Sequence, residues 1–226
     1  QAEDGIRDTS RGLVGSEMCI RDRPGSDEPL QITLNLPGRH NILNALAAIA
    51  VAYELGVDKE AIRTALKNFA GIGRSMQMYG DIKLATGTIT MVDDYGHHPT
   101  EVAATLQAVR SSWPEKRLVV VFQPHRYSRT LDLFEDFSSV LADVDVLLIS
   151  EVYAAGEEPI AGADARSLCA AIRQRGKVNP IFVEDINTVE RELASVLQEG
   201  DVLLTLGAGN IGRVASGLPQ KLQEAA

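Results

Sequence analysis

Cysteine is scarce in this chain. Cys19 and Cys169 are the two present among 226 residues; they lie far apart and without neighbours at metal-ligand spacing, which excludes a disulfide framework and a thiolate zinc site. Long hydrophobic runs are also missing. The longest mostly apolar stretch, Ile42 to Tyr53, is too short for about 30 Å of hydrocarbon, and no basic segment leads an apolar signal at the start. Positive charge is in deficit: 22 Lys and Arg stand against 31 Asp and Glu, a net charge of −9 at pH 7. Nucleic acid and anionic membrane surfaces require a positive field that this chain lacks on average. A cytoplasmic protein with neither partner is expected. The 45% apolar and 23% charged composition is that of an ordinary globular protein, long enough for one or two domains.

Residues 1–29 show neither the 3.6 nor the 2 period, are rich in Gly, Ser, Asp and Arg, and contain IRD twice. They read as translated linker or adapter sequence, or else a native disordered tail, outside any domain, so the domain-forming chain is expected to begin near Leu30. From there the pattern changes. LQITLNL alternates as a strand, Pro37-Gly38 turns, and NILNALAAIAVAYELG is an Ala-rich helix stopped at Gly56. Asp58 caps a second helix, KEAIRTALKNF, whose Ala61, Ile62, Ala65, Leu66 and Phe69 share one face. GIGRSMQMYG, with three glycines in ten residues, marks the link to a second unit.

Five strand-then-helix repeats follow, beginning with GTITMVDDY and ending with DVLLTLGAG and IGRVASGLPQKL. Continuous runs such as LVVVF, VDVLLIS and DVLLTL suit strands buried on both faces. The expected fold is therefore α/β, a Rossmann-like, mostly parallel sheet with helices on both faces. Ligands of such sheets bind outside the carboxyl ends of the strands, which directs attention to DDYGHHP, QPHRYSR, EVYAAGEEP and GAGN.

Gly207-Ala-Gly209-Asn-Ile-Gly212 satisfies G-x-G-x-x-G between a strand and a helix. A dinucleotide site also needs a second strand ending in an acidic residue about 20 residues later, and 14 residues remain after Gly212. A tight turn whose helix N-terminus can meet an anion is the expectation instead. In Asp93-Asp94-Tyr95-Gly96-His97-His98-Pro99, two carboxylates and two imidazoles crowd a strand end; a helix cap could use one Asp or Thr100 but would not need two His beside it. Ribose binding, metal ligation and substrate capture all fit them. Arg126 and Arg129, behind His125, stand three apart at an expected helix start, where the dipole disfavours cations. They call for an anion: a bound carboxylate or phosphate, or internal partners at Asp132, Glu135 or Asp136. Asn41 either caps its helix or pairs with an adenine edge.

Taken together, LPGRHNILNALAA, DDYGHHPTEV, FQPHRYSRT, EVYAAGEEPIAGAD and LGAGNIG, in this order and spacing, resemble the ATP-dependent Mur ligase family of peptidoglycan synthesis, from about residue 30 to the end of the chain. The paired His after DDYG and the HRYSR loop favour the branch that adds L-alanine to UDP-N-acetylmuramic acid. The branch that recycles a whole peptide onto the same sugar acid is the nearest alternative, and a degenerate, non-catalytic nucleotide-binding domain is the alternative of another class. The resemblance implies three domains, an N-terminal one for the UDP-sugar, a central ATPase and a C-terminal Rossmann-like one; residues 30–75 match the end of the central ATP-binding domain and residues 76–226 the whole C-terminal ligase domain, with no counterpart of the first. The Gly-rich phosphate loop and the Mg2+ ligands of the family fall in upstream sequence, so no metal ligand is expected in this chain and activity is not expected of it alone.

By the same resemblance, His40 and Asn41 would face the adenine, Asp94 the ribose hydroxyls and Tyr95 the nucleotide edge. His97, His125, Arg126 and Arg129 would gather around L-alanine and the muramic acid, with Arg129 on the amino-acid carboxylate. The family usually reads Arg-Arg-aromatic-Gln where this chain has Arg74-Ser75-Met76-Gln77. The second Arg is the one implied at the γ-phosphate, so either Arg74 substitutes for it or this copy is impaired. Ala154, in place of the family's usual Pro, is a minor departure.

Overall fold

The computed structural model describes residues 6–8, 16–20, 30–34, 39–69, 71 and 73–224. They form two compact units, residues 1–72 with 107–112 and residues 73–106 with 113–226.

The first unit contains strands β1 (Ile6–Asp8), β2 (Ser16–Ile20) and β3 (Leu30–Leu34) in an antiparallel sheet, and helices α1 (Arg39–Glu54) and α2 (Lys59–Asn68). Alternation along β3 buries Leu30, Ile32 and Leu34. They pack with Ile42, Ala45 and Ile49, one stripe of α1, and with Ile62 of α2. Asp58 caps α2 as expected, accepting from Glu60 N at 2.9 Å and Ala61 N at 3.3 Å. Two expectations change here. Asn41 is the third residue of α1 and 6% exposed, so it is not the cap of that helix. Within residues 1–29, taken above to hold no element, β1 and β2 are strands; backbone pairing to β3 needs no side-chain period, so periodicity gave no sign of them. The rest of that segment and the Pro37-Gly38 turn lie outside the described residues.

The second unit is the α/β domain. Its strands are β4 (Gln77–Leu84), β5 (Gly87–Asp94), β6 (Leu118–Phe122), β7 (Val146–Ser150), β8 (Ile181–Val183) and β9 (Val202–Leu206). The sheet order is β4-β5-β9-β6-β7-β8, antiparallel at β4·β5 and parallel elsewhere. The helices are α3 (Pro99–Ser112), whose residues 107–112 group with the first unit, α4 (Tyr127–Asp132), α5 (Phe134–Val140), α6 (Ala165–Gln174), α7 (Val189–Val196) and α8 (Ile211–Glu224). All of β6 and β9 is buried, as their unbroken apolar runs require. Val119 and Val121 face the cluster built by Leu193 of α7 and Val214, Leu218 and Leu222 of α8. Phe122 meets Phe137 of α5, ring centroids 5.4 Å apart. At the other end of the sheet, Asp201, 2% exposed, takes Arg117 Nε at 3.0 Å and Nη2 at 2.9 Å, tying the start of β6 to that of β9.

β4 was not foreseen; part of it was taken for the linker. It is an edge strand in which Ile82 alone is buried, and a register shift between Met78 and Gly80 breaks its alternation. Because β9 inserts between β5 and β6, the loops after β5, β6 and β9 emerge side by side at the carboxyl end of the sheet. The loop after β7 adjoins them.

Candidate active site at the carboxyl ends of the strands

The loops after β6 and β7 are laced together through their backbones. His125 and Tyr153 form a parallel bridge, Arg126 N donates to Tyr153 O at 2.9 Å, and Tyr153 N donates to Pro124 O at 2.8 Å. Gln123, 3% exposed at the end of β6, binds the β9 loop: its Nε2 donates to Asn210 Oδ1 at 2.7 Å and its Oε1 accepts from Ile211 N at 3.0 Å. That amide oxygen occupies the first turn of α8. The glycines of Gly207–Gly212 make room for protein rather than for a cofactor. A Cβ on Gly207, where φ is +145°, would lie 2.7 Å from Gln123 O, and one on Gly212 would collide with the Arg74 guanidinium. The tight-turn expectation for this motif is met.

Asp93 and Asp94 both serve the turn that leads into β4. Asp93, fully buried, receives Arg74 Nε at 2.8 Å and Thr205 Oγ1 at 2.6 Å; Arg74 Nη2 also reaches Gly207 O at 2.6 Å. Asp94, 7% exposed, accepts from Met76 N and Gly96 N, each at 2.8 Å, and from Thr105 Oγ1 at 3.1 Å. Arg74 and Met76 sit at φ +64° and +48°, left-handed conformations unusual for such side chains, and these two carboxylates hold them there. The Arg74 guanidinium also lies 5.2 Å from the centroid of the half-exposed Tyr95 ring.

The cap of α3 is supplied by residues passed over in favour of Asp or Thr100. His98 Nδ1 accepts from Thr100 N at 3.3 Å, and Glu101 Oε2 accepts from His98 N at 3.1 Å and His97 N at 3.0 Å, a capping box with Pro99 at the first helical position. Burial works to raise the Glu101 carboxyl, but the His97 and His98 donors and imidazoles outweigh it and hold the group below its usual range.

Rings continue from Tyr95 across the loops. Tyr95 meets His97 edge to face at 5.3 Å, His97 meets His125 at 6.0 Å, and His125 stacks on Tyr153 at 5.4 Å. Three of the four residues expected around a substrate, His97, His125 and Arg129, converge here, with Arg126 alongside. His97 Nδ1 faces two acceptors, Tyr95 O at 3.2 Å and Glu101 Oε2 at 3.3 Å, so it carries the proton and leaves Nε2 as an acceptor. His125 is the reverse: Arg129 Nη1, which can only donate, lies 3.3 Å from its Nδ1, so the neutral ring carries its proton on Nε2. Burial first, then Arg129, His97 and Arg126, push the His125 imidazole below its ordinary 6.5. Replacing Arg129 by Gln is therefore expected to raise the His125 titration midpoint, read from its ring-proton NMR shifts; a fall or no change would refute the assignment.

The two arginines differ. Arg126 Nη1 pairs with Glu157 at 3.3 Å, whereas Arg129 has no carboxylate partner among the described residues. Neither uses Asp132, Glu135 or Asp136. The dipole argument also changes for Arg129, because α4 is six residues long and Arg129 stands in its last turn. His40 and Asn41 belong to the first unit and the side chain of His40 lies outside the description; Ser75 is half-buried. Tyr153, Glu157 and Gln123 were missed as individual residues, although each stands in a loop the strand ends pointed to. Among the described residues, no group of three His, Cys, Asp or Glu could hold a metal and no helix is long and apolar enough to cross a membrane.

Residues 73–209 match the family model for the Mur ligase, glutamate ligase domain. The UDP-N-acetylmuramate–L-alanine ligase of Methylococcus capsulatus is 62% identical over 195 residues, 86% of this chain and 41% of that protein. The enzyme of the same name from Neisseria gonorrhoeae is 60% identical over 189 residues, 83% of this chain and 40% of its own length. Among solved structures, the UDP-N-acetylmuramate-alanine ligase of Thermotoga maritima superposes with a TM-score of 0.76 at 27% identity, over 98% of this chain and 46% of that one. A murein peptide ligase of Psychrobacter arcticus shares the fold, with a TM-score of 0.61 at 21% identity over 96% of this chain and 44% of that one. The chain thus spans about two fifths of the curated relatives it matches, and with a family model over more than half its length it belongs to the Mur ligase family.

Proposed function

We propose that this chain is the C-terminal part of an ATP-dependent ligase that joins L-alanine to UDP-N-acetylmuramic acid, a step toward peptidoglycan. The observation that carries the proposal is the pairing of Arg129, a cation without a carboxylate partner among the described residues, with a neutral His125 at the carboxyl ends of the parallel strands. L-alanine offers one anionic group, and a guanidinium suits it. The relatives at 56–62% identity share this activity by name, which favours L-alanine over the whole peptide of the recycling branch.

In the reaction, the sugar-acid carboxylate attacks the γ-phosphate of ATP, releasing ADP and forming an acyl phosphate. The alanine amine then attacks the acyl carbon, and phosphate leaves. Before that attack the ammonium must lose a proton, and His97 Nε2 is an acceptor able to take it, with Glu101 behind Nδ1 to stabilise the imidazolium. His125 Nε2–H suits an oxygen of the acyl phosphate or tetrahedral intermediate. The half-exposed Tyr95 ring would flank the nucleotide. Asp94, whose oxygens already serve Met76, Gly96 and Thr105, would act by fixing the turn that presents Tyr95. By the family resemblance, His40 and Asn41 would face the adenine. ATP with Mg2+ would bind chiefly to upstream sequence of the kind the relatives carry, and the protein is expected to work in the cytoplasm.

The test is a chimera in which residues 30–226 replace the matching C-terminal part of the Methylococcus capsulatus enzyme. L-alanine-dependent release of phosphate from ATP, with formation of the amide, is the expected result. A folded chimera that forms no amide would overturn the reading in favour of a degenerate domain, and Ser75 would then be the first residue to exchange for Arg.

A further inference from the structure

Glu157 lies in the long connection between β7 and α6, yet its carboxylate reaches across to the loop after β6. It accepts from Ser128 Oγ at 2.7 Å, from Ser128 N at 3.0 Å and from Arg126 Nη1 at 3.3 Å. Its side chain is 22% exposed. These three donors belong to the entry of α4, a helix whose own N-cap residue, Arg126, supplies no side-chain acceptor. Arg126 moreover stands at φ +74°, a conformation that persists in a non-glycine residue only when its surroundings over-determine it. On the carbonyl side Thr130 N and Oγ1 donate to Arg126 O; the rest of the surroundings come from one connection, in which Tyr153 grips the backbone on either side of His125, and Glu157 holds the side chain of Arg126 and both donors of Ser128.

The consequence reaches the proposed substrate site. With Arg126 turned toward Glu157 and the first turn of α4 fixed, Arg129 comes back over His125, its Nη1 3.3 Å from both Nδ1 and the carbonyl oxygen of that residue. We propose that Glu157 is a positioning residue that sorts the two arginines: it takes Arg126 into an internal pair and leaves Arg129 as the cation that receives the substrate carboxylate. This rests on the ligase reading above. A cap supplied from within the loop, by an Asp or Ser at position 126, would have held the helix equally well but would have left no arginine there to sort. The Ser128 donors, ahead of the Arg126 charge, also hold the Glu157 carboxyl below its usual range, so it stays ionised at neutral pH.

In the chimera, Glu157→Ala is expected to raise KM for L-alanine about tenfold, the loss attached to one charge-assisted contact, while KM for ATP stays within twofold of the parent. Glu157→Gln keeps an acceptor for Ser128 but cannot neutralise Arg126, so it should raise the same KM by an intermediate factor at nearly the parent melting temperature. A structural role alone would lower the melting temperature or kcat and leave the KM for L-alanine unchanged, and that result overturns the proposal. Amide exchange on the full 226-residue chain provides a measurement independent of substrate. The Ser128 amide has no acceptor within its own helix, so its protection should vanish in Glu157→Ala. If the parent chimera makes no amide bond, the ligase reading fails on its own. Equal Ser128 exchange in parent and variant would then still refute the role of Glu157.

Discussion

Replacing Arg74 by methionine is expected to destabilise the α/β unit by about 3 to 5 kcal/mol, the cost of leaving one charge of a buried pair alone. Asp93 is fully buried, and its partners are the Arg74 guanidinium and the Thr205 hydroxyl. Methionine fills much of the volume of the arginine stem but leaves the carboxylate with a single hydrogen bond. The carbonyl of Gly207 loses its donor at the same time. For a unit of this size the loss corresponds to roughly 6–20 °C in Tm, measured by calorimetry or circular dichroism. The double variant Arg74→Met/Asp93→Asn should recover at least half of it, because an amide retains an acceptor for Thr205 with no charge to strand. A single variant within about 1 kcal/mol of the parent, the ordinary cost of one neutral hydrogen bond, would show that the pair does not hold the entry turn. The same geometry bears on the Arg-Ser departure from the family pattern. Arg74 is engaged by Asp93 and Gly207, which argues against its standing in for a missing arginine at position 75.

The second large effect is at Arg129. In the chimera, Arg129→Ala should raise KM for L-alanine, or lower kcat/KM, by roughly 10- to 150-fold, the equivalent of about 1.5 to 3 kcal/mol for one charge-assisted pair, with KM for ATP little changed. Stability should move far less than for Arg74, because Arg129 neutralises no buried carboxylate among the described residues; its contacts are with the imidazole and carbonyl of His125. If KM for ATP rises instead and that for L-alanine is unaffected, Arg129 is a phosphate contact and the HRYSR loop has been assigned to the wrong substrate.

Much of the site was legible as loops and little of it as contacts. Buried strands such as LVVVF announce a parallel sheet, and a parallel sheet puts ligands at its carboxyl ends; this placed His97, His125, Arg126 and Arg129 in one region before any coordinates. What pattern reading missed has a common cause. The α3 cap was sought in Asp or Thr because those are the usual capping residues, whereas an imidazole and a Glu fill the role. β4 was missed because an edge strand with a register shift buries too little to show a period. The anion for Arg126 was sought within ten residues along the chain, in Asp132, Glu135 or Asp136, but it comes from a residue 31 positions away.

The sequence by itself determined the α/β class, the strand ends at which the candidate site lies and the family, because apolar runs, helical stripes and the five motifs are local properties of the chain. Only the tertiary structure decided which polar groups meet. Asp94 is occupied by Met76, Gly96 and Thr105, Gly212 makes room for Arg74, and Glu157 separates Arg126 from Arg129. Each of these pairings depends on distances of about 3 Å between loops that the insertion of β9 between β5 and β6, and the pairing of β7 beside β6, bring together. A hydrogen bond is fixed by position in space, and sequence spacing constrains that position only within a single turn or strand.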